Sequence, residues 1–277
     1  MHLYDCHCHS HHSPDSKSTV REIAEQSISL GLSGVTITDH YNPLSPNYTP
    51  EKQLHDISHI LKSFDEICDV REEYAGRLEL FCGVEIGAPF RHNDSCSELA
   101  CDSRVDEIIG SVHGIAPIFN DGSTRGYSPY FDEPTECDRL VEAYMTDVYR
   151  NAAFCDVDVI GHVTYLERYI IKDGTVLFDV KRFVDACADI MHICINRGKA
   201  IEINSKSLTL CDNVPFSELD FFRMYREMGG KLVTVGSDAH TLNGFSQAKQ
   251  ARDLLVAAGF ESACYYKNRH PEFYSII

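Results

Sequence analysis

DCHCHSHHSPDS, residues Asp5 to Ser16, places four histidines, two cysteines and two aspartates in twelve positions. Whether it is a zinc finger, a redox pair or the end of a strand decides the fold. A finger needs paired cysteines at short fixed spacing, and no Cys-x-x-Cys occurs anywhere in the chain. A strand explains the alternation directly. Side chains along a strand point to opposite faces with a period of two, so Asp5, His7 and His9 face one side while Cys6 and Cys8 face the other, under helices. The run Leu3 to His9 then ends in two histidines and passes into a turn-rich loop that carries Asp15.

The same design recurs along the chain. Short apolar, β-branched runs predict further strands at Gly34 to Thr38, Leu78 to Glu85, Glu107 to His113, Asp158 to His162, Ala200 to Asn204 and Leu232 to Asp238. Between them lie amphipathic stretches with helical spacing. The first opens on the capping box Thr19-Val-Arg-Glu22 and closes at Gly31. Others fill Pro50 to Ala75, Glu136 to Phe154, Asp179 to Arg197, Phe216 to Gly229 and Gly244 to Ala258. Seven strands alternating with helices predict a (β/α) barrel, and the length fits one domain over residues 1–277. Two segments break the rhythm, Ala88 to Val105 and Gly114 to Glu133. The second contains NDGSTRGYSPYFDEP, too long and turn-rich for an ordinary connection, and reads as a lid.

Composition narrows the function. With 277 residues, 43% hydrophobic and 24% charged, the chain reads as an ordinary globular protein. No apolar run approaches the ~20 residues of a membrane helix, and the N-terminus lacks the pattern of a signal peptide, so the expectation is a cytoplasmic protein. Twelve cysteines in a chain of this size are expected to be reduced and buried as small apolar residues. The net charge of −17, without lysine and arginine clusters, argues against a general nucleic-acid binder and favours cationic or zwitterionic small substrates.

The ends of the predicted strands carry the chemistry. DCHCH ends in His7 and His9, VTITDH in Asp39 and His40, LFCGVE in Glu85 and IIGSVH in His113. VIGH ends in His162, AIEIN in Asn204 and VTVGSDAH in Asp238 and His240. In a β/α barrel such groups project from the C-terminal strand ends and converge on one mouth. The candidate metal ligands are His7, His9, Asp15, His40, Glu85, His113, His162, Asp238 and His240, six imidazoles and three carboxylates. One ion cannot use nine donors. At roughly three protein ligands per ion, with Glu85 as the bridging carboxylate, two or three divalent ions follow, and mixed imidazole and carboxylate ligation suits Zn, Fe or Mn. Two ions about 3.5–4 Å apart can hold an activated water at neutral pH and steady a leaving oxygen. The predicted chemistry is hydrolysis of a phosphate ester by in-line attack, with His240 or Asp39 as candidate general acid.

Other histidines have plainer readings. His2, His92, His192 and His270 read as ordinary core or surface residues. His11 and His12 flank the cluster without sharing its strand alternation. HDISH, His55 to His59, has ligand spacing on a helix, but a polar helix face explains it better. Asp15 could serve its turn, and Asp39 could hydrogen-bond the ring of a liganding histidine.

At these positions the sequence resembles the PHP family, named for polymerase and histidinol phosphatase. The matching pieces are DCHCHSHHSPDS, TDH, GVEIG, SVHG, IGHVTY and GSDAH, in the family's order and spread over nearly the whole chain. The resemblance implies a distorted seven-stranded (β/α)7 TIM-like barrel with a trinuclear metal site. Carried over by position, His7, His9, Glu85 and Asp238 resemble ligands of a first ion. Glu85 bridges to a second held by His113 and His162, and Asp15, His40 and His240 resemble ligands of a third. A stand-alone barrel with long loops resembles the histidinol-phosphatase branch, which implies hydrolysis of L-histidinol phosphate in histidine biosynthesis. That branch clamps phosphate with basic side chains, for which Arg91, Arg168 and Lys206 are the candidates; Glu167 or Asp94 would meet the substrate amine.

Two rivals stand beside this expectation. A PHP phosphoesterase acting on nucleotides or nucleic-acid ends should show a basic, aromatic-lined channel. A non-catalytic metal-binding module should have lost a bridging ligand, and none is missing.

Overall fold

The computed structural model describes residues 2–42, 57–91, 93–113, 134–166, 171–172, 175–209 and 216–277. Seven parallel strands form its centre: β1 (Tyr4–Cys8), β2 (Gly34–Tyr41), β3 (Glu79–Gly87), β4 (Val105–Ser111), β5 (Val159–Ile160), β8 (Ala200–Asn204) and β9 (Val233–Gly236). They follow one another in chain order around the sheet. The last comes back beside the first, with Asp238 N donating to His7 O at 2.7 Å and His9 N to Ala239 O at 3.0 Å. The result is a nearly closed barrel, as the alternating pattern predicts.

Helices cover the outside: α1 (Val20–Ser29), α2 (Ser58–Glu73), α3 (Asn93–Ala100), α4 (Pro134–Phe154), α5 (Val180–Arg197), α6 (Glu218–Glu227) and α7 (Ala248–Ala257). Their apolar stripes meet the outer strand faces in one continuous core that includes Ile23, Phe64, Ile67, Tyr144, Phe183, Ile190 and Phe221. Each such side chain contributes roughly 1.5–3 kcal/mol on burial. The α1 capping box forms as its sequence dictates. Glu22 N donates to Thr19 Oγ1 at 3.2 Å and Thr19 N to Glu22 Oε2 at 2.8 Å, and Gly31 turns the chain at φ +74°.

Several boundaries differ from the sequence reading. β5 stops at Ile160 because the backbone leaves the extended region at His162, whose φ is +26°. The stretch Ala88 to Val105 contains a short helical turn, Pro89–Arg91, and α3. The proposed lid, Gly114 to Glu133, lies outside the described residues. A two-residue antiparallel pair, β6 (Ile171–Lys172) with β7 (Thr175–Val176), precedes α5.

A larger element without counterpart in the sequence reading is the C-terminal hairpin of β10 (Ser262–Lys267) and β11 (His270–Ser275). Its turn residues Asn268 and Arg269 both have positive φ, +48° and +64°, the geometry that keeps a two-residue hairpin turn in step with strand twist. Tyr265 stacks on Tyr4 with ring centroids 4.0 Å apart. Cys264 and Tyr266 pack against Ile109, Val159 and Ala200, while Arg269 pairs with Asp158. Cys6, expected under a helix, instead points its thiol at the Cys264 carbonyl. The ten cysteines whose side chains are described are free, and most of them are buried.

Four glycines in or just after strands make room where side chains converge. A Cβ on Gly236 would collide with Glu202 Oε1, one on Gly87 with Asn42, one on Gly161 with Ser111, and one on Gly83 would sit 2.6 Å from two threonine methyls.

Candidate metal centre

Glu85, near the end of β3, stands at the middle of the barrel mouth and is fully buried. Its two carboxylate oxygens serve different neighbours. Oε1 lies 2.8 Å from His113 Nε2 and 3.0 Å from His162 Nε2. Oε2 lies 2.8 Å from His40 Nδ1, 3.3 Å from His7 Nε2 and 3.6 Å from His9 Nε2. Asp238 Oδ1 approaches His9 Nε2 at 3.4 Å and His7 Nε2 at 4.0 Å. Further out, Asp15 Oδ2 is 3.1 Å from His240 Nε2 and 3.5 Å from His40 Nε2. The structure thus brings all nine sequence-derived candidates into one cluster.

Strand periodicity explains the convergence. His7 and His9 are two residues apart and share a face of β1, and His40 and Glu85 are paired across β2 and β3. His113, His162, Asp238 and His240 follow strand ends, where the chain turns outward. Asp238 does so at φ +51°, a conformation that costs an ordinary side chain of order 1–3 kcal/mol and is characteristic of functional sites.

The donor set fits cations better than hydrogen bonds. His7 Nε2 and His9 Nε2 are 3.2 Å apart, and His40 Nε2 and His240 Nε2 are 3.3 Å apart. Two imidazole nitrogens on one tetrahedral zinc, with bonds of about 2.0–2.1 Å, are separated by about 3.3 Å. Glu85 Oε2 and His40 Nδ1 are buried and lack a hydrogen bond of good geometry, although they are near neighbours. Groups of ligand atoms close enough for one ion form at His7, His9 and Glu85, at His9, His40 and His240, and at His40, Glu85 and His113. The centre is therefore suited to divalent metal.

Electrostatics follow from burial and pairing. Burial alone would raise the Glu85 carboxyl, but His113, His7 and His40 hold it well below the usual range. Asp238 is likewise held down against its burial by His9, His7 and Lys206. Burial opposes the charged form of His40, yet Glu85 and Asp15 raise it to about 10. His9, buried and facing His40, is pushed well below the ordinary histidine value.

The residues that orient the imidazoles escaped the sequence reading. Glu202, buried on β8, receives the His7 Nδ1 proton at 2.6 Å through Oε1 and the His162 backbone N–H at 2.7 Å through Oε2. This leaves His7 Nε2 facing the centre. Asn42 Oδ1 does the same for His113 Nδ1 at 3.1 Å. Asn204, noted only as a strand end, donates to both Glu202 and Asp238 at 3.3 Å. The available signal was the period of two that puts Glu202 and Asn204 on one face of β8.

Asp39 requires a correction. It lies on the opposite face of β2 from His40, is fully buried, and accepts from Ser10 N, Ser10 Oγ, Ser13 Oγ and Ser63 Oγ at 2.6–2.7 Å. Saturated by serines on the other face of β2, this carboxylate does not fit the role of general acid or of direct partner to a ligand ring that the sequence suggested. It ties down the loop after β1 instead. Ser13 also lies 3.4 Å from His9 Nδ1 and accepts from His40 N.

Lys206 reaches the cluster, with Nζ 2.9 Å from both Asp238 Oδ1 and His240 Nδ1. Arg168 and Glu167 lie outside the described residues, as do the side chains of Arg91 and Asp94. His55 is also outside them, while His59 donates to the His40 carbonyl at 2.9 Å. His11 and His12 meet Glu66 on α2. No described helix is long and apolar enough to cross a membrane.

Residues 5–206 match the PHP domain family. The chain is 26% identical over 264 residues to the histidinol-phosphatase of Lactococcus lactis, covering 94% of this chain and 93% of that protein. It is 23% identical over 273 residues to the histidinol-phosphatase of Bacillus subtilis, covering 91% and 98%. In three dimensions it is similar to the crystal structure of the L. lactis histidinol phosphate phosphatase complexed with zinc, L-histidinol and phosphate. That likeness has a TM-score of 0.78, with 24% identity and 98% of each chain covered. The match spans β1 to β8 and holds seven of the nine clustered side chains, and the chain belongs to the PHP domain family.

Proposed function

We propose that this protein is a metal-dependent phosphoric monoester hydrolase that releases phosphate from L-histidinol phosphate. The observation that carries the reading is Glu85, whose two oxygens face separate sets of imidazoles, the geometry of a carboxylate shared between ions. The histidinol-phosphatases of L. lactis and B. subtilis, which align over nearly the whole chain, support the choice of substrate.

In this reading His7, His9, Glu85 and Asp238 would hold one ion, Glu85, His113 and His162 a second, and Asp15, His40 and His240 a third. When bound, such ions supply Lewis acidity toward the phosphoryl oxygens and lower the pKa of water. The chain's own groups do the rest. Glu202 and Asn42 fix which nitrogen of His7 and His113 faces the centre. Lys206, partly exposed at the rim, offers an ammonium to phosphoryl oxygens as a charge-assisted donor. With Asp39 sealed among serines, His240 stands at the mouth as the alternative acid, a role it takes only where it is not a ligand of the third ion. The acidic chain suits a substrate that carries an ammonium group and an imidazole beside its phosphate.

The test is kcat/KM for phosphate release from L-histidinol phosphate, beside 5′-nucleoside monophosphates, on metal-loaded protein. The proposal expects above about 10⁴ M⁻¹ s⁻¹ for histidinol phosphate and far less for nucleotides. The reverse preference would assign the barrel to nucleotide hydrolysis, and turnover of neither would refute the phosphatase reading.

A further inference from the structure

His11 and His12 follow the strand-end histidines in sequence but take no part in the cluster around Glu85. Their rings lie against each other, with centroids 4.3 Å apart. Both present Nε2 to one carboxylate on α2. Glu66 Oε2 is 2.7 Å from His12 Nε2 and 3.4 Å from His11 Nε2. The three ligand atoms fall within 4.8 Å of one another, the spacing of donors around a single ion.

From these positions we infer a further, peripheral metal site formed by His11, His12 and Glu66. Two imidazoles and a carboxylate select a borderline transition ion such as Zn²⁺ over Mg²⁺ or Ca²⁺, which prefer oxygen donors. The 3.4 Å separation of His11 Nε2 from Glu66 Oε2 is already that of two donors on a tetrahedral zinc, about 3.3 Å. The 2.7 Å contact has to open by about 0.6 Å to reach the same spacing, which the partly exposed His12 ring can do. The fourth position is open to solvent, since the His11 side chain is 38% exposed and Glu66 29%.

The frame around these donors is fixed before any ion arrives. His11 N donates to Ser18 O at 2.8 Å and His12 N to Ser10 Oγ at 3.2 Å, and Ser10 in turn is held by Asp39. On the other side, Glu66 Oε1 accepts from Val20 N at 3.4 Å. An ion here would join the loop that carries Asp15 to helix α2.

The experiment counts metal, independently of turnover. Metal-loaded protein is dialysed against micromolar free Zn²⁺ and its zinc content measured by elemental analysis for wild type, His12→Ala and Glu66→Gln. Glu66→Gln retains an acceptor for Val20 N and removes only the charged ligand, so loss of fold does not confuse the result. The wild type is expected to hold one equivalent more than either variant, with phosphatase activity and central metal content unchanged in both. An equal zinc count in all three proteins would overturn the proposal. So would loss of central metal in the variants without loss of a separate equivalent.

Discussion

Replacing Glu202 with glutamine tests how the centre is tuned, because the change is nearly isosteric and touches no proposed ligand atom. Glu202 is an acceptor on both oxygens. Oε1 takes the His7 Nδ1 proton at 2.6 Å and Oε2 takes the His162 N–H at 2.7 Å. An amide has one acceptor and one donor end, so Glu202→Gln must turn its NH₂ toward one of these two donors. The backbone N–H of His162 cannot give way, whereas the His7 ring can change tautomer. His7 then accepts at Nδ1 and carries its proton on Nε2, the nitrogen that faces Glu85 and His9. The lost charge also matters, since Glu202 and Glu85 together hold His7 well above the ordinary histidine range against its burial. Loss of such an orienting carboxylate typically weakens metal affinity 10- to 100-fold, or about 1.4–2.7 kcal/mol. Zinc affinity by chelator competition is the direct assay, with kcat/KM as a second readout. Affinity within about twofold of wild type would refute the tautomer argument.

Three further outcomes follow from the geometry. Glu85→Ala should lose more than one equivalent of metal by elemental analysis, and retention of the full complement would remove its bridging role. Gly236→Ala should both destabilise the fold, by about 1–3 kcal/mol, and weaken metal binding, because the added methyl collides with Glu202 and lies 2.8 Å from His7 Cβ; unchanged denaturation and metal content would contradict this. Glu107, buried in the barrel where a hydrogen bond from Thr36 offsets little of the cost, is pushed well above the usual carboxylate value by burial and by Asp158. The unfolded chain releases that proton near pH ~4.3 while the fold retains it, so stability falls as pH rises from there. Glu107→Gln should remove this loss and raise Tm at pH 7 by about 2–4 °C for each kcal/mol recovered, and an identical pH dependence in both proteins would refute it.

What the sequence made legible is what strand geometry makes periodic. Apolar β-branched runs with histidine, carboxylate or, in β8, asparagine at or just beyond their ends located all seven barrel strands, and β8 was readable at its observed bounds. Nine candidate ligands converge because each sits at a strand end or on the loop just beyond. The orienting groups were hidden because their meaning is relational. Glu202 looks like any buried strand carboxylate until Gly236 and His7 are seen against it, and Asn42 looks like a loop residue until His113 turns toward it. Asp39 misled for the opposite reason: it adjoins His40 in sequence, but one residue along a strand is the other face. The C-terminal hairpin escaped because Asn268-Arg269 lacks the glycine that marks a tight turn, and Tyr4 and Tyr265 meet only in three dimensions.

The most direct test is to strip the protein of metal and restore it by stepwise addition of Zn²⁺ or Mn²⁺ while following phosphate release from L-histidinol phosphate. A single centre built from nine strand-end side chains predicts no turnover in the stripped protein and a plateau at two to three equivalents. Full activity without metal, or a plateau at one equivalent, would contradict a shared centre around Glu85.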